Sequence, residues 1–154
     1  MGVEIERKFL VDGDLWREQA AGSSSLRQGY LSTGAGTTVR VRTDGTTAWL
    51  TIKGKAEGIQ RAEFEYAIPA TDAGEIMALC GSRVVEKSRY RIPQGPHVWE
   101  VDEFGGRNAG LVTAEIELSA PDEKFEHPDW LGPDVSDDPR YLNANLAAMP
   151  FQDW

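Results

Sequence analysis

The chain has 154 residues, 40% of them hydrophobic and 27% charged, with a net charge of −9 and a pI near 4.7. That size fits a single domain, 1–154, with its own core, and the composition excludes a disordered chain. The acid excess argues against nucleic acid, the lone Cys80 excludes an internal disulfide, and no apolar run approaches a membrane span, so a cytoplasmic protein without membrane partners is expected.

Residues 2–11 predict a first strand, with Val3, Ile5 and Phe9 on one face and Glu4, Glu6 and Lys8 on the other. Asp12-Gly13-Asp14 breaks it. Leu15, Trp16 and Gln19 mark a short helix, ended by Gly22 and three serines. A second strand is expected at about 25–32 and a third at about 37–44, where Val39 and Val41 oppose Arg40 and Arg42. Asp44-Gly45 is a hairpin signal, because both central positions of the favoured turn need positive φ. The fourth strand, about 47–53, sets Leu50 and Ile52 against Trp49, Thr51 and Lys53. Beyond a Gly-bounded loop at 54–58, a fifth opposes Ala62, Phe64, Tyr66 and Ile68 to Arg61, Glu63 and Glu65.

Pro69 ends that strand. Thr71 or Asp72 can cap a helix over about 69–80, with Ala73, Ile76, Leu79 and Cys80 as its buried stripe and Gly81 as its stop. The sixth strand, about 83–92, carries Lys87, Arg89 and Arg91 on one face. The seventh, about 97–104, sets Trp99 and Val101 against Glu100 and Asp102. The eighth, about 111–119, sets Ile116 and Leu118 against Glu115 and Glu117. A Pro- and Asp-rich excursion, 120–138, leads to a helix at about 139–148, with Asp138 as N-cap, Pro139 first and Leu142 and Leu146 as its stripe. Arg7, Lys55 and Lys124 read as surface groups, and Trp99, Trp130 and Trp154 as packing residues.

Ionisable groups thus recur on one face of nearly every strand. One reading is a sandwich with these charges in water. Against it, a wet sheet face usually mixes in Ser, Thr, Gln and Asn, and eight hairpin-linked strands suffice to close a barrel and remove its edges. The expected fold is therefore mainly β: a closed eight-stranded antiparallel β-barrel with two to three flanking helices. If the charged face is inside, the apolar exterior must be covered by the helices or by a second subunit, as in a homodimer. A lumen of mixed charge is costly unless paired or filled. Lys and Arg suit phosphate oxygens, and carboxylates suit Mg²⁺ or Mn²⁺. Only His97 and His127 are present, so any metal must be held by oxygen.

Glu-Ile-Glu-Arg-Lys at 4–8 resembles the E-x-E-x-K signature of the CYTH proteins, or triphosphate tunnel metalloenzymes. The resemblance continues through Leu26-Arg27-Gln28-Gly29-Tyr30-Leu31, Val39-Arg40-Val41-Arg42, Thr51-Ile52-Lys53 and Arg61-Ala62-Glu63-Phe64-Glu65. It then takes in Val85-Glu86-Lys87-Ser88-Arg89-Tyr90, Glu115-Ile116-Glu117 and Asp138-Pro139-Arg140-Tyr141-Leu142-Asn143. It implies an eight-stranded tunnel that binds a small-molecule triphosphate with divalent metal. The family includes inorganic, thiamine and RNA triphosphatases and class IV adenylate cyclases. The expected activity is hydrolysis of inorganic tripolyphosphate; a nucleoside or thiamine triphosphatase, a cyclase, and a non-catalytic polyphosphate-binding module are the alternatives. Expected metal ligands are Glu4, Glu6, Glu115 and Glu117. Glu63, Glu65, Glu100 and Asp102 either join them or hold the clamp arginines. Arg40, Arg42, Lys53, Arg61, Lys87 and Arg89 are the expected phosphate clamps. Lys8, Tyr30 and Lys87 are the expected catalytic groups, with Lys8 beside the Tyr30 phenol.

Overall fold

The computed structural model of the chain describes residues 2–154, so Met1 lies outside the described residues. Nine strands form one sheet: β1 (Gly2–Val11), β2 (Gly22–Ser32), β3 (Thr38–Thr43), β4 (Ala48–Lys53), β5 (Gln60–Ile68), β6 (Val84–Gln94), β7 (His97–Phe104), β8 (Val112–Glu117) and β9 (Leu131–Asp134). The neighbour order is β5-β4-β3-β2-β6-β7-β8-β1-β9. β1 also pairs with β5, from Gly2↔Glu63 to Ile5↔Gln60, and this seam closes the first eight strands into the expected antiparallel barrel. A barrel of that size has room for side chains and one small ligand.

β9 is unexpected. It joins β1 through Phe9↔Asp134 and Val11↔Leu131, taking over the edge that β5 leaves after Ile5. Gly132 permits the approach, because a Cβ there would stand 2.8 Å from the Leu10 carbonyl oxygen. Gly22 and the serines after it do not end a helix. They pair with β6 from Gly22↔Arg91 to Ser25↔Ser88 and so extend β2, because a partner strand outweighs weak local propensity. The segment before them, Leu15–Gln19, is a 3₁₀ turn.

Helix α1 (Ala70–Leu79) starts directly after Pro69, whose carbonyl accepts from Ala73 N at 3.1 Å. Thr71 and Asp72 therefore lie inside its first turn and do not cap it. Its buried face is Ala73, Met77 and Cys80, packed on Val41 and Ala48. Leu79 is 72% exposed, since two residues beyond Met77 it stands roughly 200° round the helix. Gly29 on β2 sets this seating: a Cβ there would meet Cys80 Sγ at 2.6 Å and Met77 Sδ at 2.8 Å.

The expected last helix is divided. Asp138 caps a 3₁₀ turn, Pro139–Tyr141, by accepting from Arg140 N at 3.0 Å. Helix α2 (Asn143–Ala148) follows after Leu142. Tyr141 and Leu146 are its buried contacts, and Leu142 is part exposed.

The apolar face is outside, as expected, and most of it is covered. Trp16, Trp99 and Trp130 pack with Phe9, Val101 and Ile116 over β1, β6, β7 and β8. α1 covers the outer face of β2–β4, whereas α2 packs on Tyr30, Val85 and Phe104, which share the inward parity of Gln28, Lys87 and Asp102 and so belong to the inner face of the barrel. Trp154, by contrast, is largely open and meets Tyr141 edge-on. Val3, Ile52, Phe64 and Tyr66, on the outer faces of β1, β4 and β5, also stay exposed. Among the described residues, no helix is long and apolar enough to cross a membrane.

Candidate active site

Strand alternation turns one side chain in two into the barrel, where a cavity of about 740 Å³ opens. Every expected site residue lines it except Asp102. The two signs of charge are largely sorted by strand, with Lys8 the one cation of β1 among the lining residues. Arg40 and Arg42 on β3, Lys53 on β4, and Lys87 and Arg89 on β6 make a basic wall. Glu4 and Glu6 on β1, Glu100 on β7, and Glu115 and Glu117 on β8 make an acidic one. β5 contributes both, as Arg61, Glu63 and Glu65.

Some of these charges neutralise each other. Lys53 Nζ donates to both Glu4 carboxylate oxygens at 3.1 Å, and Arg61 Nε donates to Glu4 at 3.3 Å. Burial raises Glu4, but Lys53 and Arg61 outweigh it and hold the carboxyl below its usual range. Glu115 stands 3.4 Å from Lys8 Nζ and 3.5 Å from Arg89. Burial opposes its ionisation, yet Lys8, Arg89, Lys87 and Lys53 together hold it well below the carboxylate range.

Other charges are left unanswered. Glu6 and Glu117 face each other across the β1–β8 pair, and no described Lys or Arg forms an ion pair with either. Burial, then Glu115 and Glu4, push Glu6 well above the usual range. Burial, then Glu4, Glu63 and Glu100, raise Glu117. On the opposite wall Arg42 has no carboxylate partner among the described residues, and its Nε donates to Gln28 Oε1 at 3.0 Å. Burial, with Arg40 and Arg89 nearby, pushes it down to about 10, so it stays charged at neutral pH. Arg40 Nη2 reaches Thr51 and Glu65, but its buried Nε has no acceptor.

Glu63, Glu65, Glu100 and Asp102 each form an ion pair with a Lys or Arg. Asp102 is fully buried behind the lumen and accepts from Lys87 Nζ at 2.7 Å and from Arg89 Nε and Nη2 at 2.8 and 3.0 Å. Glu100 reaches Arg89, Glu65 reaches Arg40 and Glu63 reaches Lys53. Asp102 is therefore a support for Lys87 and Arg89 and presents nothing to a metal in the lumen. Lys87 is pushed down to about 7 by burial, with Arg89 and Arg42 adding to the effect against Asp102.

Lys8 and Tyr30 do not meet as expected. Lys8 Nζ donates to the Tyr141 carbonyl at 2.8 Å, and the Lys8 backbone holds Val135 and Ser136, so this residue anchors the C-terminal segment. The Tyr30 hydroxyl instead accepts from Gln28 Nε2 at 2.8 Å. Sequence reading passed over Gln28, Thr51, Tyr141 and Asn143. The first two share strand parity with Tyr30 and Lys53, which was a usable signal. Lys55, read as a surface group, is exposed at the cavity mouth.

The lumen offers a metal oxygen donors, most of them carboxylates, and two of those carboxylates, Glu6 and Glu117, have no ion-pair partner among the described residues. That set suits a hard divalent ion. Among the described residues no three acidic, His or Cys groups converge into a ready cage.

A model of the CYTH domain matches residues 2–145. The chain is 47% identical over 155 residues to an inorganic triphosphatase of Acetivibrio thermocellus, covering 100% of this chain and 99% of that one. It is 37% identical to an inorganic triphosphatase of Nitrosomonas europaea, over 94% and 96% of the two chains. The crystal structure of an inorganic triphosphatase superposes with a TM-score of 0.65 at 35% identity, covering 96% of this chain and 95% of the other. A putative adenylate cyclase from Bacillus halodurans shares the fold, with a TM-score of 0.59 at 16% identity over 79% and 84% of the chains. A closed barrel with charges of both signs in its lumen, matched along nearly its whole length, makes this chain a member of the CYTH domain family.

Proposed function

We propose that the chain hydrolyses inorganic tripolyphosphate to pyrophosphate and phosphate, with Mg²⁺ or Mn²⁺ as cofactor. The observation that carries this is the pairing of an unanswered cationic site, at Arg42 and Arg40 Nε, with an unanswered acidic one, at Glu6 and Glu117. A polyanion that arrives with a divalent cation satisfies both. Relatives at 47% and 37% identity that are inorganic triphosphatases support the choice of substrate.

Arg40, Arg42, Lys53, Arg61, Lys87 and Arg89 hold the phosphate oxygens, the arginines through their planar forks. Glu6 and Glu117, with Glu4 and Glu115, would hold the metal, which when bound would supply charge neutralisation at the phosphates and lower the pKa of a water. Glu63, Glu65, Glu100 and Asp102 keep the clamps in place. A water oxygen adds to the terminal phosphorus as that phosphorus loses its bond to the bridging oxygen; the water oxygen stays on the released phosphate, the bridging oxygen leaves with pyrophosphate, and the protons of the water pass to the two products. Tyr30, Lys8 and Lys87 are the groups available for hydrogen bonding to the reacting oxygens. A homodimer would use the exposed face of Val3, Ile52, Phe64 and Tyr66, and light scattering of the purified protein reads it.

The test is phosphate release from tripolyphosphate, pyrophosphate, ATP and thiamine triphosphate, each with and without Mg²⁺. Tripolyphosphate with metal should give the highest kcat/KM. A clear preference for ATP, or cyclic AMP as product, overturns the proposal.

A further inference from the structure

Gln28 is fully buried, lies behind the lumen and has no place in the chemistry above. Yet its carboxamide joins two parts of the site. Its oxygen accepts from Arg42 Nε at 3.0 Å. Its Nε2 donates to the Tyr30 hydroxyl at 2.8 Å and to Asn143 Oδ1 at 3.2 Å. Asn143 Oδ1 also accepts from Lys87 Nζ at 3.0 Å.

The orientation of this amide is fixed. A guanidinium Nε–H can only donate, so the oxygen must face Arg42 and the NH₂ must face Tyr30 and Asn143. Each of the two amide hydrogens then has its own acceptor. The Tyr30 oxygen is consequently an acceptor on its wall side. A phenol has a single hydrogen, and with that side taken its O–H is left to point into the lumen that Tyr30 lines. The Tyr30 backbone is held as well: its N–H donates to the Arg83 carbonyl at 3.0 Å, and its carbonyl accepts from Arg83 Nε at 2.9 Å. The ring therefore has little freedom to change which side it offers.

We propose that Gln28 is a positioning residue that presents the Tyr30 hydroxyl to the lumen as a hydrogen-bond donor for an oxygen of the bound triphosphate, with Asn143 of α2 locking that arrangement. The proposal rests on the reading of the lumen as a triphosphate site. A donor held in place before the reaction stabilises charge that grows on a phosphoryl or leaving oxygen, so its effect falls on kcat. Asn143 comes from the C-terminal segment, so the donor is set only when α2 is seated.

The test is steady-state hydrolysis of tripolyphosphate with Mg²⁺ by the full chain. Gln28→Glu keeps the shape and the acceptor for Arg42 but offers Tyr30 no donor, so the hydroxyl turns to the new carboxylate. Gln28→Glu and Tyr30→Phe should each lower kcat by on the order of 10²-fold. KM should move less than about twofold in Tyr30→Phe but rise in Gln28→Glu, whose new carboxylate pairs with the Arg42 clamp. In the Tyr30→Phe background, Gln28→Glu should change kcat less than about twofold, because there is no hydroxyl left to aim. Losses that multiply in the double variant, or a wild-type kcat in Gln28→Glu, overturn the proposal. A second measurement leaves Gln28 intact. The Gln28 side-chain amide signals in a ¹H–¹⁵N spectrum should shift and exchange faster with solvent in Tyr30→Phe, and unchanged signals overturn the proposal. A wild type that releases no phosphate from tripolyphosphate refutes the function, whereas this spectral change still reads the Gln28–Tyr30 bond.

Discussion

The basic and acidic walls of the tunnel are made by the same strand alternation, but their charges are balanced differently. On the acidic wall, Glu4 and Glu115 each face two cations and titrate low. Glu6 and Glu117, on the same two strands, face each other and titrate high. On the basic wall, Arg89 is held by Asp102, Glu100 and Glu115, whereas Arg42 has only the neutral Gln28. On the proposed reading, the few charges that the fold leaves unanswered are the ones that select the ligand. The paired majority sets their positions.

The largest effect should come from removing the ion that the acidic wall is suited to hold. EDTA should reduce phosphate release to background, and Mg²⁺ or Mn²⁺ should restore it. Full turnover in metal-free buffer would break the division into two walls. Next, Glu6→Gln combined with Glu117→Gln should cut kcat by on the order of 10³-fold, yet raise the Tm of the metal-free protein, because two crowded carboxylates become neutral. Glu115→Gln should instead lower Tm, since it strips buried Lys8 and Arg89 of a partner, a change typically worth about 3–5 kcal/mol. Equal Tm shifts in the two cases would erase the difference between paired and unpaired carboxylates. Arg42→Ala should raise KM roughly 10–100-fold, the worth of a charge-assisted hydrogen bond, with a smaller change in kcat. An unchanged KM would remove Arg42 from the clamp.

The smallest effect is a pH dependence. Burial and the neighbouring Glu115 and Glu4 hold the folded pKa of Glu6 well above the 4.5 of a free glutamate. Its contribution to stability is therefore full below pH 4.5 and is lost as pH rises through the folded value. Metal-free protein should melt lower at pH 8 than at pH 5, and Glu6→Gln should flatten that slope. A wild-type slope in Glu6→Gln would assign the dependence elsewhere.

The walls were legible in the sequence because a period of two needs no knowledge of partners. Arg40 beside Val41, or Glu115 beside Ile116, already states which side chain shares the lumen. Pairing was not legible, because it depends on register between distant strands. Nothing local says that Gln28 meets Asn143, 115 residues on, or that Lys8 turns to Tyr141 instead of Tyr30. β9 was hidden for a similar reason. Gly132 and Pro133 mark a loop by local propensity, and only the edge of β1 left open after Ile5 makes a strand of them. The α1 stripe went to Leu79 instead of Met77 because the deciding neighbour, Gly29, lies on another strand.

The β1 pairings also bear on how the chain is made. β1 is synthesised well before its partners: β8, which pairs with Glu6–Leu10, begins at Val112 and β9 at Leu131. At about 5–20 residues per second, the first strand waits roughly 5–20 s for β8 to be synthesised. During that interval the hairpins from β2 to β7 can form and β5 can pair with Gly2–Ile5, while Glu6–Leu10, with the apolar Phe9, still lacks its partner. The unfinished chain therefore carries a sticky half-strand ahead of six strands of an open tunnel. Slowing translation late in the message should lengthen that exposure and favour aggregation, whereas a chaperone that holds the leading strand should raise the soluble yield.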